Sequence, residues 1–245
     1  MLAAQRKEHL LRILERDGRV LAKPAAAELG VSEDSIRRDL RELAADGACV
    51  RVYGGALPVP PADRPVVERR ELATASKERV AREAARRIRP SSTVVLDAGT
   101  TTLAMAAMLP RSLTVFTPSP EVAIAVAQHS DARIVMIGGE LMRHSMVAGG
   151  ALALEAAAHV GADTMFMGAT GVHPEHGLTT GELDDAVTKR ALAQRCTDVY
   201  VLASAEKIGA VSRFPIIGLA EVAEIIVDPQ DRNPMVEILQ TMTGG

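Results

Sequence analysis

Residues 30–56 read GVSEDSIRRDLRELAADGACVRVYGGA, and the fold of the amino-terminal part follows from them. Gly30 gives a tight turn after a helical apolar stripe of Ala25, Ala26 and Leu29, and Val31 plugs that turn. Ser32 carries the side-chain oxygen of an N-cap, and Glu33 and Asp34 place negative charge at the positive end of the next helix dipole. Ile36, Leu40 and Leu43 form the buried side of that helix. A rotation of about 100° per residue carries Asp34, Ser35, Arg38 and Arg41 to the opposite side, with Arg37 at the flank. After Gly47 the run ACVRVYGGAL alternates and contains a Gly-Gly turn, so it reads as a short hairpin, or wing, that turns Arg51 toward a phosphate. Upstream, Leu10, Ile13 and Leu14 stripe a first helix that Gly18 ends.

Three helices and a wing make a winged helix-turn-helix over residues 1–57. An exposed helix start bearing Ser and Arg is what reading a major groove requires, because arginine forks onto guanine while a hydroxyl and a helix terminus hold phosphate. The candidate DNA-binding residues are Ser32, Ser35, Arg37, Arg38, Arg41 and Arg51.

Charge constrains where nucleic acid can bind. The whole 245-residue chain has a net charge of −3. Residues 1–57 hold 10 Lys and Arg against 9 Asp and Glu, residues 58–95 hold 9 against 5, and residues 96–245 hold 9 against 17. The acidic carboxy-terminal part would be repelled by a phosphate backbone, so contact must come from the amino-terminal part. At 47% hydrophobic the chain can build a sizeable core, but 2% aromatics and no Trp argue against a base-stacking sheet. Cys49 and Cys196 lie far apart, without metal or redox spacing, and are expected to be reduced thiols in a cytoplasmic protein. No apolar run approaches a membrane span, and the charged amino terminus does not read as a secretory signal.

LPVPPADRP, with Pro58, Pro60, Pro61 and Pro65, reads as a semi-rigid tether, and residues 58–75 are assigned as a linker. Residues 76–89 read as an amphipathic helix with Val80, Ala84 and Ile88 on one face. Its arginine face is expected to be solvated, or to pair with the headpiece or with DNA. From Thr93 onward short apolar runs alternate with helical segments: TVVLD, LTVFT, ARIVMIGG, DTMFMG, DVYVLAS and EIIVD are the strands. Continuous apolar strands separated by helices predict a doubly wound, mostly parallel α/β domain over residues 76–245.

The residues now carry a resemblance. GVSEDSIRRDLRELAADGACVRVYGGA resembles the signature of the DeoR family of bacterial repressors, with its GVS turn, IRRDL recognition helix and wing ending in GGA. Length and order match across both domains. The resemblance implies a repressor of a sugar-metabolism operon, modulated by a phosphorylated sugar bound in a carboxy-terminal domain similar to ribose-5-phosphate isomerase and the coenzyme A transferases. It also implies double-stranded operator DNA as partner and a homo-oligomer, dimer or tetramer.

Within the body, VVLDAGTTTLAMAAML is the most informative loop. By residue type alone, Asp97, Thr100, Thr101 and Thr102 read as helix caps, while a helix start with Gly99 and several hydroxyls also suits an anion. DxGTTT-like loops in the family favour the ligand reading, with Asp97 accepting from sugar hydroxyls. Gly-rich loops at other strand ends, GGE with Gly139 and GATGV with Gly171, add effector-binding candidates, although glycine there also suits plain turns. Lys189 and Lys207 are the lysines of the α/β run beyond Thr93, and both fall on lysine positions of the family pattern. Ser204 in ASAEK and Pro118 in TPSP depart from that pattern. Each removes a hydrogen-bonding partner for a sugar hydroxyl, and Glu206 is a candidate substitute.

His173 and His176, separated by Pro174, read as a surface turn rather than a metal site. No cofactor and no catalytic residue is assigned. The alternative function is a sugar-phosphate isomerase or transferase with a fused DNA-binding module, in which Asp97 and a lysine would be acid and base.

Overall fold

The structure is a computed structural model that describes residues 2–244. The headpiece begins with α1 (Ala3–Asp17), β1 (Val20–Leu21), α2 (Ala22–Leu29) and α3 (Glu33–Ala45), and closes with β2 (Val50–Val52) and β3 (Gly55–Leu57). Gly18 and Gly30 end α1 and α2 at φ 68° and 63°, the left-handed conformation in which a Cβ is costly. Leu10, Ile13, Leu14, Ile36, Leu40 and Leu43 share one core, as their spacing predicts. The wing carries one strand that the alternation did not announce. Val20 and Leu21 pair antiparallel with β3, giving the sheet order β1-β3-β2. Gly55 permits that pairing, because a Cβ there would lie 1.8 Å from the carbonyl oxygen of Val20.

Residues 58–75 do not run free. A 3₁₀ turn (Pro61–Asp63) and the short α4 (Val66–Arg69) dock on the body, with Ala62 and Val66 only 3% and 2% exposed. Burying a valine is worth about 1.5–3 kcal/mol, and the Val66 amide also donates to the His144 carbonyl. The prolines stop a long helix, as read; the apolar residues between them then find a surface.

In the body, α5 (Thr74–Ala85) leads into β4 (Thr93–Leu96), α6 (Thr100–Ala106), β5 (Thr114–Thr117), α7 (Pro120–His129) and β6 (Arg133–Met136). A hairpin of β7 (Glu140–Met142) and β8 (Val147–Gly149) precedes α8 (Ala151–Ala158) and β9 (Ala162–Gly168). Next come β10 (Gly171–His173), β11 (Gly177–Thr180), α9 (Leu183–Ala193), β12 (Cys196–Ala203), β13 (Phe214–Pro215), β14 (Glu224–Val227) and α10 (Met235–Thr241). Six strands form one parallel sheet in the order β14-β12-β9-β4-β5-β6.

Both faces are covered. Val94 and Leu96 of β4 pack with α5, α6 and α7, while Val95 between them packs in the cluster that includes α8, α9 and α10. This period-two switch inside one strand defines a doubly wound α/β domain. The glycine-rich loops between main strands pair among themselves, as the β7-β8 hairpin and the small antiparallel sheet β10-β11-β13.

Two arginines of the basic face of the α5 segment are committed to the body. Arg79 forks onto Asp228 with two 2.7 Å bonds and Arg87 onto Glu224 at 2.6 and 3.1 Å. The acidic surplus of residues 96–245 thus draws in two arginines of the basic segment before it, while Arg82, Arg86 and Arg89 stay exposed, in line with the expected solvated face.

Candidate functional sites: a recognition helix and an anion cleft

On α3 the Ser32 hydroxyl accepts from the Ser35 amide at 3.2 Å and lies 2.9 Å from the Ser35 hydroxyl, so both candidate serines also serve the helix start. Arg38 and Arg41 are exposed. Arg37 is exposed too but paired with Glu33, one helical turn earlier, at 2.6 Å. Arg51 stands exposed on β2. The sequence reading missed two residues. Asp39, 2% exposed, is gripped by the Arg6 guanidinium and ties α3 to α1. Tyr53 projects fully into solvent at the wing tip, beside Gly54. The aromatic before the Gly-Gly pair was the available signal for Tyr53.

The second site lies where the winding of the sheet reverses. From β4 the chain proceeds to β5 and β6 on one side and to β9, β12 and β14 on the other, so a crevice opens at the carboxyl ends of β4 and β9. Asp97 and Gly168 follow and end those two strands, and the Gly168 amide donates to Asp97 Oδ2 at 2.8 Å. A cleft opens here, with Gly99, Lys189, Lys207, Arg69, Asp63 and Asp185 among its walls.

Asp97 is fully buried and serves this architecture first. Its Oδ2 also accepts from the Lys189 ammonium, which reaches Asp185 at 3.0 Å, and Thr180 donates to Asp185 at 2.6 Å. Burial pushes the Asp97 pKa above the usual carboxylate range despite the nearby ammonium. For Lys189, burial opposes the charge, but Asp185 and Asp97 outweigh it and raise the pKa. Two carboxylates therefore hold one ammonium.

Lys207 differs. Its ammonium contacts the Leu202 carbonyl at 3.2 Å and the Thr101 hydroxyl at 3.4 Å, and burial lowers its pKa to about 8. Among the described residues neither Lys207 nor Arg69 has a carboxylate within ion-pairing distance. Arg69 comes from α4, inside the segment read as a linker. Its Nε is buried without a partner, and desolvation lowers its pKa. Asp63, from the same segment, receives the Ser212 hydroxyl at 3.1 Å, and desolvation raises its pKa.

Of the predicted effector residues, Gly99, Lys189 and Lys207 line the cleft, Asp97 and Thr101 touch those lysines, and Thr100 is half-buried at the start of α6. The Thr102 hydroxyl is buried without a partner. Gly139 and Gly171 are not on the cleft wall. A Cβ on them would meet the carbonyl oxygens of Gly149 at 2.4 Å and Ala210 at 2.3 Å, so glycine there serves backbone packing. Glu206 accepts from Ser204 at 2.8 Å and leans toward Lys77 at 4.0 Å, also away from the cleft wall.

Comparison with known proteins agrees with both halves. Residues 6–59 match the DeoR-like helix-turn-helix domain, and residues 72–229 match the DeoR C terminal sensor domain. The chain is 31% identical to the HTH-type transcriptional regulator GlpR of Haloferax volcanii, over 93% of this chain and 91% of that protein. It is 29% identical to the glycerol-3-phosphate regulon repressor of Escherichia coli, over 99% of this chain and 96% of that protein. Among solved structures, ribose 5-phosphate isomerase A of Methanocaldococcus jannaschii aligns with a TM-score of 0.39 at 16% identity, over 54% of this chain and 53% of that one.

Proposed function

We infer, from the premise that this chain belongs to the DeoR family of transcriptional regulators, that it represses a sugar-metabolism operon and responds to a phosphorylated sugar held in the cleft. The observation that carries the reading is a pair of cations, half-buried Arg69 and buried Lys207, that face one cleft and, among the described residues, have no carboxylate within ion-pairing distance. Desolvated cations without a direct ion pair are costly, and an entering phosphate would supply the close contact that the surrounding carboxylates, acting from beyond ion-pairing distance, do not. Asp185 and Thr180 line the same wall and supply acceptors and a hydroxyl for a polyol. The relative named for the glycerol-3-phosphate regulon puts glycerol 3-phosphate among the first compounds to try.

Arg38, Arg41 and Arg51 are the proposed DNA contacts, with Ser32, Ser35 and Arg37 beside them. A headpiece of net charge +1 has little bulk attraction for DNA, so operator binding is assigned to paired headpieces in a dimer or tetramer. The ligand acts by favouring one arrangement of those headpieces.

The test is a thermal-shift screen of phosphorylated sugars and glycerol 3-phosphate, with operator binding measured for every hit. A ligand at about 100 times its Kd should stabilise the protein by roughly 2.7 kcal/mol. Stabilisation together with changed operator affinity supports the sensor. Turnover of the compound would move the assignment to a sugar-phosphate enzyme.

A further inference from the structure

We propose that the connector itself grips the ligand: Arg69, delivered by α4, is a direct ligand of the anionic group, which thereby fastens the headpiece-bearing segment to the body. This rests on the reading of the cleft as a phosphate site and adds which stretch of chain the phosphate holds.

Three observations converge on Arg69. The first is its isolation. Arg6, Arg79 and Arg87 each fork onto a carboxylate, whereas the Arg69 guanidinium turns into the cleft with its Nε buried and unpartnered. A guanidinium fork matches two oxygens of a phosphate as well as it matches a carboxylate.

The second is the way it is held. Lys77, itself 3% exposed, donates from its ammonium to the Arg69 carbonyl at 2.5 Å and so clamps the end of α4 against α5. The Arg69 backbone is fixed while its side chain is left unengaged. Such an arrangement pre-organises a binding group and adds no internal bond for it.

The third is the opposite wall. Lys207 approaches the cleft from the 3₁₀ turn that follows β12, and after burial and the opposing pull of Glu206 the Arg69 charge is among those that lower its pKa. A bound phosphate reverses that repulsion into a bridge between connector and body. The wing ends at Leu57 and Asp63 already touches the body, so movement of this short segment is movement of the headpiece. Coupling then needs no route through the sheet.

The experiment uses the full chain with inorganic phosphate as probe. It measures phosphate affinity by calorimetry and the rate at which trypsin cuts after Arg70. In the wild type, phosphate should slow this cut. Arg69→Met should weaken phosphate binding about tenfold or more and abolish the protection, and Lys207→Met should also weaken binding. Because Arg69 has no internal partner to orphan, the melting temperature of Arg69→Met in phosphate-free buffer should be no lower than that of the wild type.

If Lys207→Met loses phosphate while Arg69→Met binds it like the wild type, the connector assignment falls and the cleft reading survives. If the wild type binds neither phosphate nor any phosphorylated sugar, both fall. A melting temperature lowered by Arg69→Met would make the guanidinium a structural group and overturn its assignment as a ligand.

Discussion

Arg38 and Arg41 reach solvent from successive turns of one helix, whereas Arg69, Asp97, Lys189 and Lys207 converge from four separate stretches of chain on one buried cleft. The recognition helix collects these arginines locally and leaves them in water. Exposed charges of this kind contribute little to stability and are free to act on a partner. The cleft removes Asp97, Asp185 and Lys189 from water, so each of these depends on the others, and loss of one leaves another exposed to the full cost of burial. Functional and structural roles are therefore separable for the exposed arginines of the headpiece and merged for Asp97 and Lys189 of the body.

The strongest way to break that contrast is Lys189→Met, which strands Asp97 and Asp185 beside each other without their ammonium. The expected loss is about 3–5 kcal/mol in denaturant unfolding. An unfolding midpoint equal to that of the wild type would show that the cleft charges are as independent as those of the headpiece.

Next in size is Arg38→Ala. Operator affinity at fixed salt should fall by about 1–3 kcal/mol, while folding stability stays within about 0.5 kcal/mol. Unchanged affinity removes Arg38 from the interface; a large loss of stability would put it in the same class as Lys189.

The third test uses pH. The Lys207 pKa is lowered to about 8 in the ligand-free protein, and a bound anion favours the charged form and raises it. Affinity expressed for the phosphate dianion should be full below about pH 8. It should decline as pH climbs from there, by at most about tenfold per unit, until the pKa of the bound state is passed. Titration calorimetry between pH 7 and 9.5 checks this, and Lys207→Met should lack the decline.

The smallest effect belongs to Glu33→Gln, which releases Arg37 from its exposed pair. Folding stability should drop by no more than about 0.5 kcal/mol. Operator affinity should rise slightly as negative charge leaves the DNA-facing side, an outcome that competition binding at low salt would reveal.

The same contrast explains what could be read beforehand. Ile36, Leu40 and Leu43 announce their helix because helical burial repeats within a few residues, and the outward arginines follow by rotation. The strands of the main sheet are equally legible as continuous apolar runs, since both faces are covered. Asp63 and Arg69 were not legible. Their stretch is rich in proline and charge, the ordinary composition of a tether, and only Ala62 and Val66 hinted that it docks. Gly139 and Gly171 looked like ligand-loop residues because glycine signals close approach without saying what approaches; here it is backbone.

The sequence by itself determined the winged headpiece and the doubly wound body, because periodicity, caps and strand-end loops are written in neighbouring residues; Asp97, Lys189 and Lys207 became effector candidates through the family resemblance. Tertiary structure alone decided which charges neutralise one another. Whether Lys189 is satisfied and Lys207 left without a carboxylate depends on distances across the sheet. Whether a proline-rich segment hangs free or closes over a cleft depends on a surface made by residues more than 70 positions away, such as His144.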